Sequence, residues 1–398
     1  MNFPVLYLRK GAERRLRAGH LWVYSNEVDT RRSPLTDFEA GVQAELRAAN
    51  DKPMGTVFVN PHALICGRLI SRNAAHGMTP QRLTERLETA LTLRQRLFDK
   101  PFYRWVFGDS DALSGLVIDR FDDVVVLQIS TAGMEQMKES IVRAVQRLAH
   151  PRAIILKNDG KMRKVEGLEI YVEQAQGPEI NLLRVEENGV GFEVPMAGGQ
   201  KTGWFYDHRM NRQRLQAYAP GKRVLDVFSY VGGWGIQAAC AGATQVTCVD
   251  SSASAIESVH HNARINGLDN IETLEGDAFE ALKALCDEKE KFDIVVLDPP
   301  ALIPRRRDQK AGEEAYARLN QLGLRLLDRD GLLVSASCSM HLSQEKLTDI
   351  IRSSGRKIDR FVQLLEQGHQ APDHPVIPGI PETDYIKSCF VRSLTGFL

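Results

Sequence analysis

Asp298 and Cys338 have side chains that can do chemistry, and each lies at the end of a hydrophobic run. The run at 292–302, FDIVVLDPPAL, delivers Asp298 followed by two prolines, which cannot continue a central strand and so fix a rigid lip beside the carboxylate. The run at 332–340, LLVSASCSM, ends at Cys338, whose thiol is either a nucleophile or, the commoner fate of a lone cysteine, an inert core group. Because α/β sheets build their sites at the carboxyl ends of strands, the pattern predicts a site there.

The stretch 222–250, KRVLDVFSYVGGWGIQAACAGATQVTCVD, predicts the elements that position these residues. A β-branched run at 224–227 indicates a buried strand, and a turn with Gly232, Gly233 and Gly235 follows it. An apolar helix and a second strand at 246–249 come next, ending in Asp250. This layout is typical of a nucleotide-binding βαβ unit, in which the acid accepts hydrogen bonds from both ribose hydroxyls of an adenosine.

Two cofactor classes use this layout. The letters GWGIQA at 233–238 fit the dinucleotide pattern G-x-G-x-x-A, but in that pattern the first glycine follows the strand almost at once. Here Asp226 comes first, and Gly232 lies six positions beyond it. An acid at the strand end and a wider loop suit a cofactor with a positively charged amino-acid end and no pyrophosphate, which describes S-adenosylmethionine. An α/β turn without a ligand is the remaining alternative.

Further polar residues extend the predicted site. IETLEGDAF predicts a third strand ending at Asp277, where an acid reaches the exocyclic amine of adenine. Before the βαβ unit lies a short polar stretch that suits the amino and carboxylate ends of a methionine moiety, or simply begins a helix. Its members are Lys201, Thr202, Asp207, His208 and Arg209.

The first 75 residues predict a small β-rich unit, with strands separated by Gly, Pro and Asn. Basic residues interleaved with aromatic ones suit RNA, because they meet phosphates and stack on unpaired bases. The alternative is a solvated helix face with Trp22 in the core. The residues concerned are Arg9, Lys10, Arg14, Arg15, Arg17, His20, Trp22 and Tyr24.

The next part of the chain predicts a connecting helix and a compact α+β unit. Leucines at near-helical spacing indicate a helix over 79–98, with Thr79 as its cap and Pro80 in its first turn. Strand patterns and a helix over 133–149 follow. A hairpin with Asn188-Gly189 as a type I′ turn ends the segment.

Composition places limits on the class of protein. The 398 residues are 43% hydrophobic and 26% charged, with a net charge of zero, so contact with nucleic acid must come from local patches. The six cysteines form no C-x-x-C pair and no zinc spacing, which favours free thiols in a reducing compartment. The N-terminus does not resemble a signal peptide, and no run of 18 apolar residues occurs. We expect a cytoplasmic protein without membrane contact.

The motifs DVFSYVGG, CVD, EGDAF, LDPP and SASCS occur in the order and spacing of the ribosomal large subunit methyltransferase I family, which the chain resembles over nearly its whole length. GHLWVYSNEV resembles the family's RNA-binding PUA domain, and QAPDHPV its C-terminal tail. The resemblance implies a PUA-like β-barrel at 1–75, a linker helix with an α+β central domain at 76–190, and a class I Rossmann-like methyltransferase domain at 191–398.

The family's members are S-adenosylmethionine-dependent 23S rRNA cytosine-C5 methyltransferases, and this chemistry explains the residue types. Cytosine C5 is too poor a nucleophile to attack a sulfonium methyl until a thiolate adds to C6. The resemblance therefore implies Cys338 as nucleophile and Asp298 as the group that bonds the N3/N4 edge of the base. The target base must leave its stack to reach this pocket.

The same resemblance implies the binding residues. Phe228, Ser229, Tyr230, Gly232 and Gly233 would line the methionine side, Asp250 and Ser251 the ribose, and Asp277 and Ala278 the adenine, with Asp298, Thr202 and Asp207 as further cofactor contacts. RNA would meet Lys10, Arg14, Arg15, His20, Trp22, Arg305 and Arg306.

The chain departs from the pattern in two ways. Many RNA cytosine-C5 methyltransferases carry a second cysteine in a Pro-Cys motif, but here Asp298-Pro299-Pro300-Ala301 stands in that place, so the base for the final elimination is unassigned. Family members often have Lys where this chain has Ala301; nearby Arg305 and Arg306 supply charge instead, or form a solvated loop.

The alternatives are an exocyclic-amine N-methyltransferase and a non-catalytic rRNA-binding or ribosome-assembly protein. A dehydrogenase comes last. The sequence does not decide whether the substrate is free 23S rRNA or an assembly intermediate. It also leaves open whether the protein is a monomer or a homodimer.

Overall fold

The computed structural model describes residues 3–196 and 202–396. The chain forms two compact units. The first unit comprises the described parts of Met1–Leu183, Met196–Trp204 and Pro372–Thr383. The second comprises Arg184–Pro195, Phe205–Ala371 and the described part of Asp384–Leu398. Lys201, one of the predicted polar residues, lies outside the described residues.

The N-terminal part of the first unit is a five-stranded sheet in the order β1-β3-β4-β5-β2. An antiparallel bridge between Leu8 and Val28 joins the chain just beyond the two edge strands, which closes the sheet into a small barrel around apolar side chains such as Leu6 and Val23. Its elements are β1 (Val5–Tyr7), α1 (Glu13–Arg17), β2 (Trp22–Tyr24), β3 (Val42–Arg47), β4 (Pro53–Val59) and β5 (Ile65–Ser71).

The predicted connecting helix is confirmed as α2 (Pro80–Leu97). It begins where the sequence indicates, because Thr79 Oγ1 accepts a hydrogen bond from the Arg82 amide at 3.2 Å. Leu83, Leu87 and Leu91 lie on one face of the helix and are buried in the core.

A second five-stranded sheet, in the order β10-β9-β8-β7-β6, shares an apolar core with α2 and with the helices α3 and α4 that follow it. The single helix expected over 133–149 is wrong in detail: two helices form, because Met137 leaves the helical conformation with φ −94° and ψ 2°. The elements are β6 (Phe102–Phe107), β7 (Leu116–Phe121), β8 (Val124–Ile129), α3 (Ala132–Glu135), α4 (Lys138–Ala149), β9 (Ala153–Asn158), α5 (Met162–Val165) and β10 (Tyr171–Gln176).

A hairpin of β11 (Leu182–Glu187) and β12 (Val190–Pro195) follows. Asn188 and Gly189 have φ of 53° and 82°, which confirms the predicted type I′ turn. Within the second unit, the Glu193 amide donates to Asn262 Oδ1 at 2.9 Å, so the hairpin is tied to a helix of the α/β sheet that follows it.

The second unit contains a seven-stranded sheet in the order β15-β14-β13-β16-β17-β19-β18. The first five strands are parallel, and β19 runs antiparallel to both β17 and β18. The elements are α6 (Arg209–Tyr218), β13 (Arg223–Val227), α7 (Gly235–Cys240), β14 (Gln245–Asp250), α8 (Ala253–Ile265), β15 (Ile271–Glu275), α9 (Ala278–Asp287), β16 (Phe292–Leu297), α10 (Gln309–Leu326), β17 (Leu327–Ser337), α11 (Gln344–Arg356), β18 (Arg360–His369) and β19 (Lys387–Thr395).

The strand order reverses direction between β13 and β16, and helices cross between the parallel strands. Ligands of open α/β sheets bind at such a switch point, outside the carboxyl ends of the strands. The fold is therefore the expected Rossmann-like α/β domain, preceded by an N-terminal barrel and an α+β sheet. The domain boundaries at 75 and 190 stay a prediction. Within residues 3–196 and 202–396, no helix is long and apolar enough to cross a membrane.

Candidate functional site

The glycine loop between β13 and α7 has a strained backbone. Phe228 and Tyr230 take left-handed conformations with φ of 65° and 50°, which residues other than glycine rarely adopt. The Ser229 amide donates to the Val249 carbonyl at 3.0 Å, and the Gly232 amide donates to the Ser229 carbonyl at 2.8 Å. Strain of this kind concentrates at ligand-binding sites, and predicted cofactor-binding residues carry it.

The glycines of this loop are required by close packing. Gly232 has φ of 86°, and a Cβ on it would lie 2.7 Å from the Ile236 side chain. Gly233, the other predicted glycine contact, is buried beside it. A Cβ on Gly235 would lie 2.7 Å from Cys248 Sγ and 3.1 Å from Asp226 Oδ2. Because the glycines have no Cβ, the loop backbone can pack this closely and can come near a ligand.

Asp226 is fully buried at the end of β13. Burial raises the pKa of its carboxyl to about 7, and the hydrogen bond from the Gly235 amide to Oδ2, 2.8 Å long, opposes the rise. Nearby Asp298 and Asp250 raise the pKa further. The acid of the predicted motif therefore fixes the start of α7.

Asp250 joins the end of β14 to the glycine loop. Its Oδ2 accepts a hydrogen bond from the Tyr230 amide at 2.8 Å, and its Oδ1 accepts one from the Ser252 amide at 3.0 Å. A carboxylate offers about four acceptor positions, so two remain for a ligand. Ser251, the other residue predicted at the ribose, is exposed next to it.

Asp277 lies beyond the end of its strand, which corrects the sequence-based boundary. The strand β15 ends at Glu275, because Asp277 adopts an extended conformation as the N-cap of α9. Its Oδ1 accepts hydrogen bonds from the Phe279 amide at 2.9 Å and the Glu280 amide at 3.2 Å. Ala278 is buried as the first residue of the helix. One carboxylate oxygen of Asp277 is thus committed to the cap.

Asp298 is held by two side chains at the end of β16. The Trp234 indole nitrogen donates to Asp298 Oδ2 at 2.9 Å, and His208 Nε2 lies 3.3 Å from Oδ1. Burial alone would raise the pKa of Asp298, but His208 and Trp234 hold it below its usual value. Burial opposes a charge on His208 as well, yet Asp298 raises the pKa of the imidazole above its usual value. Asp298 is therefore a carboxylate with an ordered orientation.

Cys338 directly follows β17, the neighbour of β16 in the sheet. Its Sγ lies 3.9 Å from the Pro299 carbonyl oxygen, so the thiol is beside the Asp-Pro-Pro lip. The side chain is half-buried, whereas Cys66, Cys248 and Cys389 are buried in the core. The structure thus brings Cys338 to the segment that carries Asp298.

Two predicted cofactor contacts have other partners. Thr202 lies in the first unit, where its hydroxyl donates to Asp119 Oδ2. Asp207 Oδ2 accepts a hydrogen bond from the Tyr385 hydroxyl at 2.6 Å, and its carbonyl accepts one from the Ala371 amide at 2.9 Å. Asp207 therefore ties the residues just after β18 and just before β19 to the segment that leads into α6. Their roles at the cofactor stay predictions.

The predicted RNA-binding residues of the barrel divide into two sets. Lys10 and Arg14 are exposed. Arg15 instead forms an ion pair with Glu27 at 2.8 Å and contacts His20, which is buried. The Trp22 indole donates to Asp109 at 3.0 Å. Arg15, His20 and Trp22 thus form part of a folded network, which leaves Lys10 and Arg14 as the exposed cations of the set.

Arg305 and Arg306 are exposed in the loop that follows the Asp-Pro-Pro lip. The loop leads into α10, and Arg307 in the loop and Lys310 in the first turn of α10 are exposed neighbours. Its positive charges lie on the sequence segment that begins at Asp298.

The sequence reasoning missed Trp234 and Lys387 at this site, and it assigned His208 to the methionine moiety rather than to Asp298. Trp234 and His208 orient Asp298, and Lys387 contacts the turn that carries Cys338. The short polar stretch indicated that His208 belongs to a site, but the sequence did not identify Asp298 as its partner. Nothing in the local sequence around Trp234 or Lys387 indicates their contacts.

The residues around the loop fit S-adenosylmethionine. Among the described residues, Ser229 Oγ and Asp226 Oδ1 are buried oxygens without a hydrogen-bond partner. Asp250 keeps unused acceptor capacity beside them. Acceptors of these kinds suit the ammonium group and the ribose hydroxyls of that cofactor.

Comparisons with known proteins agree with this fold. A family model described as an S-adenosylmethionine-dependent methyltransferase matches residues 139–376, and one described as a PUA-like domain matches residues 6–72. A solved methyltransferase from Streptococcus mutans, described as S-adenosylmethionine-dependent, superposes with a TM-score of 0.82 at 22% identity, covering 98% of this chain and 100% of that chain. At that identity the likeness shows the fold.

Two relatives carry the name Ribosomal RNA large subunit methyltransferase I. The Klebsiella pneumoniae protein is 34% identical, covering 98% of both chains. The Cronobacter sakazakii protein is also 34% identical, covering 96% of this chain and 97% of that protein.

The fold, the loop and these matches define an S-adenosylmethionine-dependent methyltransferase with an N-terminal PUA-like domain. The chain belongs to the ribosomal RNA large subunit methyltransferase I family.

Proposed function

We propose that this enzyme methylates C5 of a cytosine in 23S rRNA, with Cys338 as the nucleophile. The observation that carries the proposal is the position of Cys338, whose Sγ lies 3.9 Å from the Pro299 carbonyl of the Asp-Pro-Pro lip. The names of the relatives support a large-subunit rRNA substrate. An enzyme that acts on this RNA would work in the cytoplasm, as the sequence predicts.

The proposed reaction needs a thiolate and an oriented carboxylate. The Cys338 thiolate adds to C6 of cytosine, which forms the S–C6 bond and places electron density at C5. Bound S-adenosylmethionine would supply the electrophilic methyl group that C5 takes, and the S–CH3 bond would break to leave the neutral thioether S-adenosylhomocysteine. A base then removes the C5 proton, and the electron pair of that C–H bond restores the C5–C6 double bond as the thiolate leaves. At the N3/N4 edge of the base, the Asp298 carboxylate would accept a hydrogen bond from the exocyclic N4 amine and so hold the ring in place.

The cofactor would be held at the switch point of the sheet. Phe228, Ser229, Tyr230, Gly232 and Gly233 would line its methionine part. Asp250 and Ser251 would take the ribose, and Asp277 and Ala278 the adenine. The strained loop supports this assignment, because its amides are already fixed by Asp250 and by the Val249 carbonyl.

RNA contact is proposed at two exposed basic places. Lys10 and Arg14 belong to the PUA-like domain, and Arg305 and Arg306 follow the Asp-Pro-Pro lip. Guanidinium and ammonium groups bind phosphates whatever the base sequence, so these residues would position the RNA while the pocket selects the base.

The test is transfer of labelled methyl to protein-free 23S rRNA, with identification of the modified nucleoside. Cys338→Ala should lose at least about a thousandfold in rate while it still binds cofactor, because the nucleophile has no substitute. Cys240→Ala is the matched control, since Cys240 is an exposed cysteine of the same domain and should be fully active.

Three results would contradict the proposal. Formation of an N-methylated base by the wild type would favour an exocyclic-amine methyltransferase instead. Retained activity in Cys338→Ala would make Cys338 a packing residue. A protein that binds no S-adenosylmethionine at all would fit the non-catalytic RNA-binding alternative.

A further inference from the structure

The turn that carries Cys338 is fixed from the protein interior by hydroxyl groups. Tyr316 of α10 is fully buried, and its hydroxyl lies 2.7 Å from Ser337 Oγ and 3.0 Å from Ser339 Oγ. Ser339 Oγ also accepts a hydrogen bond from the Ile303 amide at 3.1 Å. The residues on both sides of Cys338 thus belong to one network, which restricts the position of the thiol.

A buried lysine contacts the same turn. Lys387 begins β19 opposite Ser337 of β17, and it is only 7% exposed. Its Nζ donates to the Ser339 carbonyl at 2.9 Å and to the Tyr385 carbonyl at 3.1 Å. Both acceptors are uncharged backbone groups. An ammonium has three N–H donors, so one more is available beside these two.

Two groups that are negative when deprotonated attract this ammonium. They are Asp384, exposed before β19, and the thiol of Cys338. Burial lowers the pKa of Lys387, and both groups oppose that effect. The attraction is mutual, so a cation that a thiolate stabilises also stabilises the thiolate. Tyr316 is another titratable group near the thiol; burial raises its pKa, so it stays a neutral hydroxyl.

We propose that Lys387 is a positioning residue for Cys338, which fixes the turn through the Ser339 carbonyl and favours the thiolate through its positive charge. This inference rests on the proposed role of Cys338 as nucleophile. A lysine with a purely structural role would account for the fixed turn. Only a lysine whose charge acts on the sulfur would also change how the reactivity of the thiol depends on pH.

The experiment measures alkylation by iodoacetamide as a function of pH in the full-length protein. Peptide mass spectrometry reads Cys338 and the exposed Cys240 separately, so each protein carries its own reference thiol. The variants are Lys387→Met, Lys387→Gln and Lys387→Arg. Binding of S-adenosylhomocysteine and the thermal unfolding midpoint show which of them are folded.

Loss of the charge should raise the pKa of the Cys338 thiol. We expect Lys387→Met and Lys387→Gln to alkylate Cys338 about tenfold more slowly at neutral pH, which corresponds to one pKa unit. Cys240 should react as in the wild type, and Lys387→Arg should keep the wild-type profile. Tyr316→Phe removes the hydroxyl and keeps the charge, so it should leave the pH profile of Cys338 unchanged even where methyl transfer falls.

An unchanged alkylation profile of Cys338 in folded Lys387→Gln or Lys387→Met would overturn the inference. So would a slower reaction at Cys338 in Lys387→Arg equal to that in Lys387→Gln, because the charge would then be irrelevant. Failure of the proposed function is a separate result, namely methyl transfer that survives in Cys338→Ala. Alkylation reports on the thiol whether or not that transfer occurs.

Discussion

Asp298 keeps its charge in a place where burial opposes it. The carboxylate is one fifth exposed, and His208 and Trp234 reach its two oxygens. The indole N–H donates a hydrogen bond that the ionised carboxylate accepts more strongly than the neutral acid, so it favours the ionised form. Orientation and ionisation of Asp298 therefore have the same cause.

Trp234→Phe should narrow the pH range in which the enzyme works. A hydrogen bond to a charged group contributes about 1.5–3 kcal/mol, and one pKa unit corresponds to about 1.4 kcal/mol. The pKa of Asp298 is depressed in the folded protein, so the ionised form is lost as pH falls through that pKa. Removing the indole should move the acid limb of the methyl-transfer profile upward by about one pH unit.

Trp105→Phe is the matched control for this measurement. Trp105 is also buried and donates its indole hydrogen at 2.9 Å, but its acceptor is the Leu87 carbonyl, which does not titrate. The control should lose stability without a shift of the acid limb. Equal profiles for the wild type and Trp234→Phe would show that the indole does not set the ionisation of Asp298.

At the scale of the elements, the parallel strands decide which residues meet. The strands β13, β14 and β16 are neighbours in register, and their carboxyl ends carry Asp226, Asp250 and Asp298. The next strand, β17, delivers Cys338 at the same edge. A helix or loop then begins directly, so polar side chains and helix N-termini converge there.

Asp277 has two roles that a pair of variants separates. Asp277→Ala and Ser343→Ala each remove the N-cap of a helix, α9 and α11, and each should cost about 1 kcal/mol of stability. Only Asp277 is proposed to contact the adenine, so only Asp277→Ala should also weaken cofactor binding, by about tenfold. Calorimetric titration with S-adenosylhomocysteine makes the comparison, and equal affinities in both variants would remove Asp277 from the cofactor site.

At the scale of the whole molecule, a chain of zero net charge has to bind RNA through local patches. The PUA-like domain offers Lys10 and Arg14 as exposed cations, whereas its Arg15 is paired with Glu27.

Lys10→Glu with Arg14→Glu should weaken binding to 23S rRNA and flatten its dependence on salt. For each phosphate that the double variant no longer binds, the slope of log K against log salt should fall by about 0.7 for single-stranded RNA. The control is Arg356→Glu with Lys357→Glu, an exposed pair at the end of α11 with the same change of charge. Filter binding at several salt concentrations tests both, and an equal weakening in the two double variants would mean that only net charge matters.

The sequence by itself determined the order of the elements and the chemistry at their ends. Thr79 and Pro80 begin α2, and Asn188-Gly189 forms the tight turn of a hairpin, because caps and turns depend on the sterics of a few adjacent residues. The glycine loop and the ends of β13, β14, β16 and β17 follow from local patterns of the same kind, whereas β15 ends at Glu275 rather than at the predicted Asp277. The resemblance in their order and spacing also identified the family, which the relatives confirm.

Only the tertiary structure decided the partners of these side chains. Trp234 and Asp298 are 64 positions apart, and Thr202 and Asp119 are 83 apart. Lys387 reaches the carbonyl of Ser339 across 48 positions. A hydrogen bond needs two groups within about 3 Å, and strand order and helix packing set that distance rather than local sequence.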